Sequence, residues 1–540
     1  MSDFKFQQHV PNKRIVGDQP VSLPIAGRTD MIENNTGAFV FETSVFSQLE
    51  RFLILGTSGG TYYVSETKLT KVNVNALCNA LLEDPIKTID IIVDISVQGR
   101  CLKNETCIFA LAYASSNSSS TTRKYALSKL NDVCRIGTHL FSFVEYAKFF
   151  RGRGRLFSNA LKNWYLSKEL SNLSYQLVKY QQRNGWSHRD ILRLCKPKTS
   201  DPIRNQAFKW AVGKYLENEH AEETFYALKP IIGFELAKKC EIEEQIVECI
   251  RSYDLTREMI PTEWLKFSEV WAVLIKNTPY IAMIRNLGVM SANGYLKPLS
   301  DSVSYLAKRI IDENEIRKSK VHPIQILMAL QIYKSGQGLK GSLNWIVVPK
   351  IVANLEKAFY LAFKNIKPTG KNYLLAIDVS SSMTWKNLGG VPQFTPRVAS
   401  AVLAMATMKV EENYHIIGFC DKIEELNIND SMTIKQVCDV IDATRMGSTD
   451  IGSAIEYAIN KKLDVDVFVI YTDNEANQGY HVPALLNKYR KEMNKPECKL
   501  CVVAMEANDC SIADPTDSNM MDFVSFDSNT PAAINGFISI

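Results

Sequence analysis

Five oxygen-bearing side chains in the last third of the chain have the types and spacing of a hard-cation site. Asp378, Ser380 and Ser382 form a D-x-S-x-S pattern within LLAIDVSSSM, so that alternate side chains of one turn can point to one place. Thr449, in MGSTDIG, stands just before a helical pattern, and Asp473 ends the apolar run VFVIYTD. Carboxylates and hydroxyls without nitrogen or sulfur suit Mg²⁺ or another hard divalent cation, which keeps waters while taking few protein carboxylates. The hydroxyls read as direct ligands and the acids as direct or water-mediated ones, which leaves a position for an outside oxygen such as a partner's carboxylate. The triplet alone is equally an ordinary capped turn, because Asp and Ser favour such positions for their own hydrogen bonds. Thr449 and Asp473, at the ends of other elements, weigh toward the cation. A serine nucleophile would need a base; His415 and His481 lie in this region, but no G-x-S-x-G elbow surrounds Ser380. Catalysis is the weaker reading.

The elements that must position these residues are those of a doubly wound α/β domain. From about residue 366, the near-continuous apolar stretches YLLAIDV, YHIIGFC, VDVFVIYTD and KLCVVAM alternate with helical patterns. That alternation predicts a parallel sheet covered on both faces, with ligands outside the carboxyl ends of its strands. Cys498 and Cys501 make a C-x-x-C in the last of these stretches. A spacing of three along a strand sends the two sulfurs to opposite faces, so zinc is not expected there. The other cysteines, scattered over 540 residues, read as free thiols of a reducing compartment.

A second constellation is basic. FFRGRGRLFSNALKNWYLSKEL carries Arg151, Arg153 and Arg155, and LVKYQQRNGWSHRDILRLCKPK carries Lys179, Arg183, Arg189 and Arg193 around Tyr180 and Trp186. Arginine forks take phosphates and stack on bases, and basic residues with aromatics between them suit RNA. The plainer alternative is a solvated basic face with Tyr180 and Trp186 packed inside, which is favoured for the two aromatics. His188 is as easily a capping or packing residue as an RNA contact. Charge divides the chain accordingly: from Ile366 onward 15 Lys and Arg face 23 Asp and Glu, against 48 and 35 before it. A basic body with an acidic appendage is compatible with a bound polyanion, although basic helical proteins are common.

From Val45 to about Phe363 apolar residues recur at three and four, as in HPIQILMALQIYKSG, with Gly and Pro at the ends of the predicted helices. Ser187 and Asp190 have the form of a capping box. Many short helix pairs suggest an α-solenoid, without a clean repeat period. The organisation expected is an irregular segment over 1–40, an all-α body over 41–365 and the α/β domain over 366–540. A polar beginning and the lack of a long apolar run lead to the expectation of a soluble intracellular protein without membrane contact.

The region from about 366 resembles a von Willebrand factor A domain, whose metal-ion-dependent adhesion site is D-x-S-x-S plus a Thr and an Asp; Asp378, Ser380, Ser382, Thr449 and Asp473 occupy those places. LERFLILGTSGGTYYV, VCRIGTHLFSF, KYQQRNGWSHRDILRL, RNLGVM and HPIQILMALQIYKSGQGL resemble, in order, the signature segments of the TROVE module. Together the two regions are similar to the Ro 60 kDa autoantigen family. The resemblance implies a ring of HEAT-like helical repeats closed by the A domain. It further implies a noncatalytic, monomeric protein within a ribonucleoprotein, cytoplasmic and also nuclear in a eukaryote. Such a protein binds Y RNA-like noncoding RNA on a basic outer surface and single-stranded 3′ ends of misfolded RNA in a central hole, for RNA quality control and stress survival. Lys179, Arg183, His188 and Arg189 lie in the segment similar to the family's Y RNA contact region, whereas Arg151, Arg153, Arg155 and Arg193 are candidates from charge. The alternative is an adhesion or scaffold protein that takes protein partners through the metal site of the A domain.

Overall fold

The computed structural model describes residues 19–540 apart from 35, 43, 56–65, 100, 102–103, 151–153, 215–221, 320, 322, 339–341, 367, 386–387, 389–392, 445–446, 474–477, 506–509, 525–533, 535–536 and 539–540. Arg151 and Arg153 therefore lie outside the described residues. Helices run from Val45 to Ala362, and strands return at Tyr373. In chain order, β1 (Met31–Glu33) and β2 (Phe39–Glu42) precede the helices, and β3 (Gln182–Arg183) and β4 (Trp186–Ser187) interrupt them. After them come β5 (Tyr373–Asp378), β6 (Tyr414–Phe419), β7 (Ile423–Glu425), β8 (Val467–Thr472), β9 (Lys499–Ala504), β10 (Cys510–Ser511) and β11 (Met520–Val524).

The main sheet has the order β11-β9-β8-β5-β6-β7, and every neighbouring pair is parallel except β6 with β7. Continuously apolar strands are buried on both faces, as the sequence pattern predicts. Leu374, Ala376, Phe468, Ile470, Leu500 and Val502 share one apolar cluster with the helices Ser453–Lys461 and Val482–Glu492. Their neighbours Leu375, Ile377, Val469, Tyr471 and Val503 belong to a second cluster, with Pro396–Met408 and Ile434–Asp442. Cys498 packs in the first cluster and Cys501 in the second, both as free thiols. The second cluster continues into the core of the helical body. Burial on this scale, at roughly 25 cal/mol per Å² of apolar surface, is what joins the two parts.

Of the segment expected to be irregular over 1–40, residues 1–18 lie outside the described residues, and two stretches of the remainder are strand. β1, β2 and β10 form a three-stranded antiparallel sheet. Arg28 fastens it, with 2.7 Å to Asp514 and 2.6 Å to Asp30, the first of these partners 486 positions away in sequence. Strands of two to four residues whose partner lies that far off carry no local periodicity to read. The helical run also begins and ends against the α/β domain. Arg51, 2% exposed on helix Val45–Leu55, meets Asp522 of β11 at 2.9 Å. At the other end Tyr360 Oη, on helix Pro349–Ala362, accepts the Ile434 N–H at 2.7 Å. The helical body is thus closed through the α/β domain.

Two signature segments meet inside that body. Helix Gly137–Phe150 begins at a glycine because a Cβ there would stand 2.8 Å from His188 Nε2 and 2.9 Å from Tyr180 Cβ. Close packing leaves the ring nowhere to go. Gly137→Ala is expected to lower the unfolding free energy by about 1–3 kcal/mol, read from the midpoint of urea unfolding; an unchanged midpoint would show that the helix can slide away.

Candidate metal centre and nucleic-acid interface

The chain enters the sheet at its centre, builds β6 on one side of β5, then crosses to build β8 on the other. The carboxyl ends of β5 and β8 are therefore a switch point, where loops part and leave a crevice. Asp378 ends β5, and Asp473 follows β8 directly. Both are buried, as are Ser380, Ser382 and Thr449. Asp378 Oδ1 accepts from Ser380 N at 2.9 Å and Oδ2 from Thr472 Oγ1 at 2.8 Å, which ties the two strand ends together. The Ser380 and Ser382 hydroxyls stand 3.0 Å apart. The Thr449 loop joins the same edge, since Asp450 N donates to Cys420 O, just past β6, at 2.9 Å. All five predicted residues thus belong to one edge of the sheet.

Burial pushes the Asp378 carboxyl above its usual range, against the hydrogen bonds from Ser380 and Thr472 and the charge of Arg397. A desolvated carboxylate among hydroxyls is the environment that a cation relieves. The donor set is all oxygen, so it fits a hard divalent ion. Among the described residues no three His, Cys, Asp or Glu side chains converge as a metal centre of that kind would need. A cation here would rest on two carboxylates, hydroxyls and water. Neither histidine of this domain can serve Ser380 as a base. His415 lies near the start of β6, away from the carboxyl edge, and His481 Nε2 is engaged with Leu23 O at 2.9 Å.

Arg397 is the residue that sequence reasoning missed. Buried to 2% exposure, it donates through Nη2 to Val379 O at 3.0 Å and Ser380 O at 3.2 Å, and through Nη1 to Asp442 at 2.8 Å. It holds the D-x-S-x-S turn from beneath. No motif announces it, because two of its partners are main-chain carbonyls and the third sits on another helix.

The basic segment folds as hairpin and helix. Asn184 and Gly185, with φ of 51° and 76°, form the two-residue turn between β3 and β4, where Arg183 pairs with Trp186. An Asn-Gly pair at these dihedrals is a strong hairpin signal that the helical reading of this stretch passed over. Ser187 then caps helix His188–Cys195 with both halves of a capping box. Arg183, Arg189 and Arg193 are exposed, and so is Arg155 at the start of helix Arg155–Leu166. Lys179 is half-buried, its Nζ 2.7 Å from Tyr175 Oη and 5.0 Å from the centre of that ring. Trp186 is half-buried with its indole N–H on Glu145 at 2.7 Å.

His188 is a correction. It is 3% exposed, with Nδ1 2.9 Å from Tyr165 Oη and Nε2 3.2 Å from Gln176 O, and it packs on Phe141 and Trp164. Both ring nitrogens are occupied, so no edge is left for a nucleotide. The first position of an amphipathic helix can face either way, and here it faces in.

Residues 32–245 and 252–332 match the family model of the TROVE domain, and residues 372–538 match that of the Ro60 vWA domain. The chain is 34% identical over 582 residues to the RNA-binding protein RO60 of Caenorhabditis elegans, covering 94% of this chain and 90% of that one. It is 33% identical over 523 residues to the RNA-binding protein RO60 of Deinococcus radiodurans, covering 96% and 97%. The crystal structure of the Deinococcus radiodurans RO (RSR) protein aligns with a TM-score of 0.72 at 33% identity, over 92% of this chain and 99% of that one.

Burial depresses the His188 imidazole from its ordinary 6.5 to about 3. A depressed value means that the stability His188 contributes is complete above pH 6.5 and is lost as pH falls toward 3. His139, lowered by burial to about 4, adds to the same acid window. His188→Gln should therefore be less stable at neutral pH yet show a shallower loss on acidification, measured by urea unfolding across pH. A slope as steep as that of the parent protein would remove His188 as a source.

Proposed function

Because the chain belongs to the Ro60 family of RNA-binding proteins, we propose that it is the protein of a small ribonucleoprotein that holds structured, Y RNA-like noncoding RNA. Its relatives are named for RNA binding and not for an enzymatic activity. The observation that carries the finer reading is the hairpin and helix over 182–195. They present Arg183, Arg189 and Arg193 to solvent while the aromatic and histidine side chains between them are held inward. Arg189 and Arg193 form no ion pair with any described residue, so their forks stand ready for phosphate oxygens. Arg155 extends the basic face. Single-stranded 3′ ends of misfolded RNA would bind elsewhere on the closed helical body, in keeping with a quality-control role.

The carboxyl edge of the sheet is read as a Mg²⁺ site, held by Asp378, Ser380, Ser382, Thr449 and Asp473. A hard divalent cation held by these residues would supply Lewis-acid binding of an oxygen from a protein partner. The chain's own part is to keep the hydroxyls adjacent, exclude water from Asp378 and fix the turn through Arg397. Neither His415 nor His481 is placed to act as a base for Ser380, which favours binding over hydrolysis.

RNA affinity should fall steeply with added salt, because phosphate contacts release counterions. The combined change Lys179→Ala, Arg183→Ala and Arg189→Ala should weaken an RNA stem–loop about tenfold or more, and make the salt dependence shallower by about 0.9 per lost phosphate contact. A labelled single-stranded tail, titrated by fluorescence anisotropy, should lose less; equal losses would argue against two surfaces. For the metal, Asp378→Ala should abolish the calorimetric heat of Mg²⁺ binding while RNA affinity persists. Undiminished heat would reject the assigned ligands.

A further inference from the structure

The described residues provide one of the exposed arginines, Arg183, with an internal anion. Its Nη2 lies 3.7 Å from Glu105 Oε2, with the side chains 49% and 31% exposed. Glu105, the first residue of helix Glu105–Ala114, is itself held, because Tyr146 Oη donates to its Oε1 at 2.9 Å. Tyr146 belongs to helix Gly137–Phe150, which also seats the rest of the hairpin: Asn184 Nδ2 lies 3.3 Å from Ser142 Oγ, and the Trp186 indole is on Glu145. The hairpin is thus fixed to one helix through its turn and through the strand that follows, and Arg183 is aimed at a carboxylate that the same helix positions.

At 3.7 Å the contact is an ion pair beyond hydrogen-bonding length, so the guanidinium fork is steered but not saturated. Solvent reaches both groups, and a phosphate can reach the arginine. We propose that Glu105 is a specificity-determining residue of the RNA interface, whose carboxylate occupies Arg183 in the RNA-free protein and must yield it to a phosphate. A bidentate phosphate oxygen pair replaces the long contact with two short charge-assisted bonds. A diffuse or poorly placed anion does not, and it also meets the uncompensated charge of Glu105. The residue therefore lowers affinity for every polyanion, and most for those whose phosphates miss the fork. This inference rests on the reading that Arg183 touches RNA.

The test is fluorescence anisotropy of a fluorescein-labelled RNA stem–loop against the full chain at several KCl concentrations, for the parent protein, Glu105→Gln, Arg183→Ala and the double variant. Glu105→Gln keeps an amide oxygen for Tyr146 Oη and so keeps the hairpin seated, which a thermal melt verifies. The single variant should bind about two- to fivefold tighter, the range expected from releasing an exposed ion pair. Its salt dependence should be somewhat steeper, since a carboxylate that repels phosphate is removed from the interface. In the Arg183→Ala background the gain should shrink. Affinity that stays level or falls in Glu105→Gln, or an equal gain with and without Arg183, overturns the placeholder role. Arg183→Ala binding as tightly as the parent would instead overturn the reading on which the inference rests.

Discussion

A guanidinium sealed from water is tolerated only where acids and carbonyls meet it, and Arg51 is such a group. Its ion pair with Asp522 joins the first long helix of the body to β11 at the edge of the sheet. Asp522 in turn accepts from the Ser511 hydroxyl, so β10 is drawn into the same knot. Burial raises the Asp522 carboxyl above its usual range despite the nearby arginine. The cost of desolvating the pair is therefore high, and removing either partner would strand the other. Everything else about closure follows: with the first helix held on the sheet, the last helix reaches the same domain through Tyr360.

The same logic recurs at the carboxyl edge. Arg397 lies under the D-x-S-x-S turn as Arg51 lies under the sheet edge, each buried and each bridging elements far apart in sequence. In the first case the acid, Asp442, remains largely exposed while the main-chain carbonyls are sealed. The arginine therefore acts chiefly on backbone geometry. A turn whose hydroxyls must converge needs that kind of support, because serine side chains are short and follow the backbone closely.

Legibility in the sequence tracked the range of the interactions. Four strands of the main sheet, β5, β6, β8 and β9, and the covering helices were visible because burial on two faces imprints continuous apolar runs, whereas β7 and β11 were not. The five oxygen-bearing residues were visible because the ends of apolar runs and a loop before a helix mark them. The capping box at Ser187 is equally local. The sheet of β1, β2 and β10 was not visible, since three short strands paired across most of the chain leave no period. His188 illustrates a different loss: its spacing was compatible with solvent or core, and only the rings of Phe141, Trp164 and Tyr165 decide between them. Arg397 and Glu105 were hidden for a third reason, because what distinguishes them is a partner and not a pattern.

The pairing of β2 with β10 also governs the timing of assembly. A ribosome releases the helices long before Cys510, Ser511 and Asp522 appear, so the body has no second anchor for its first helix while most of the polypeptide is being made. Closing so long a span carries an entropic penalty that grows only slowly with length, but it cannot begin early. The first helix consequently waits for its anchor until the segment around Ser511 and Asp522 has emerged.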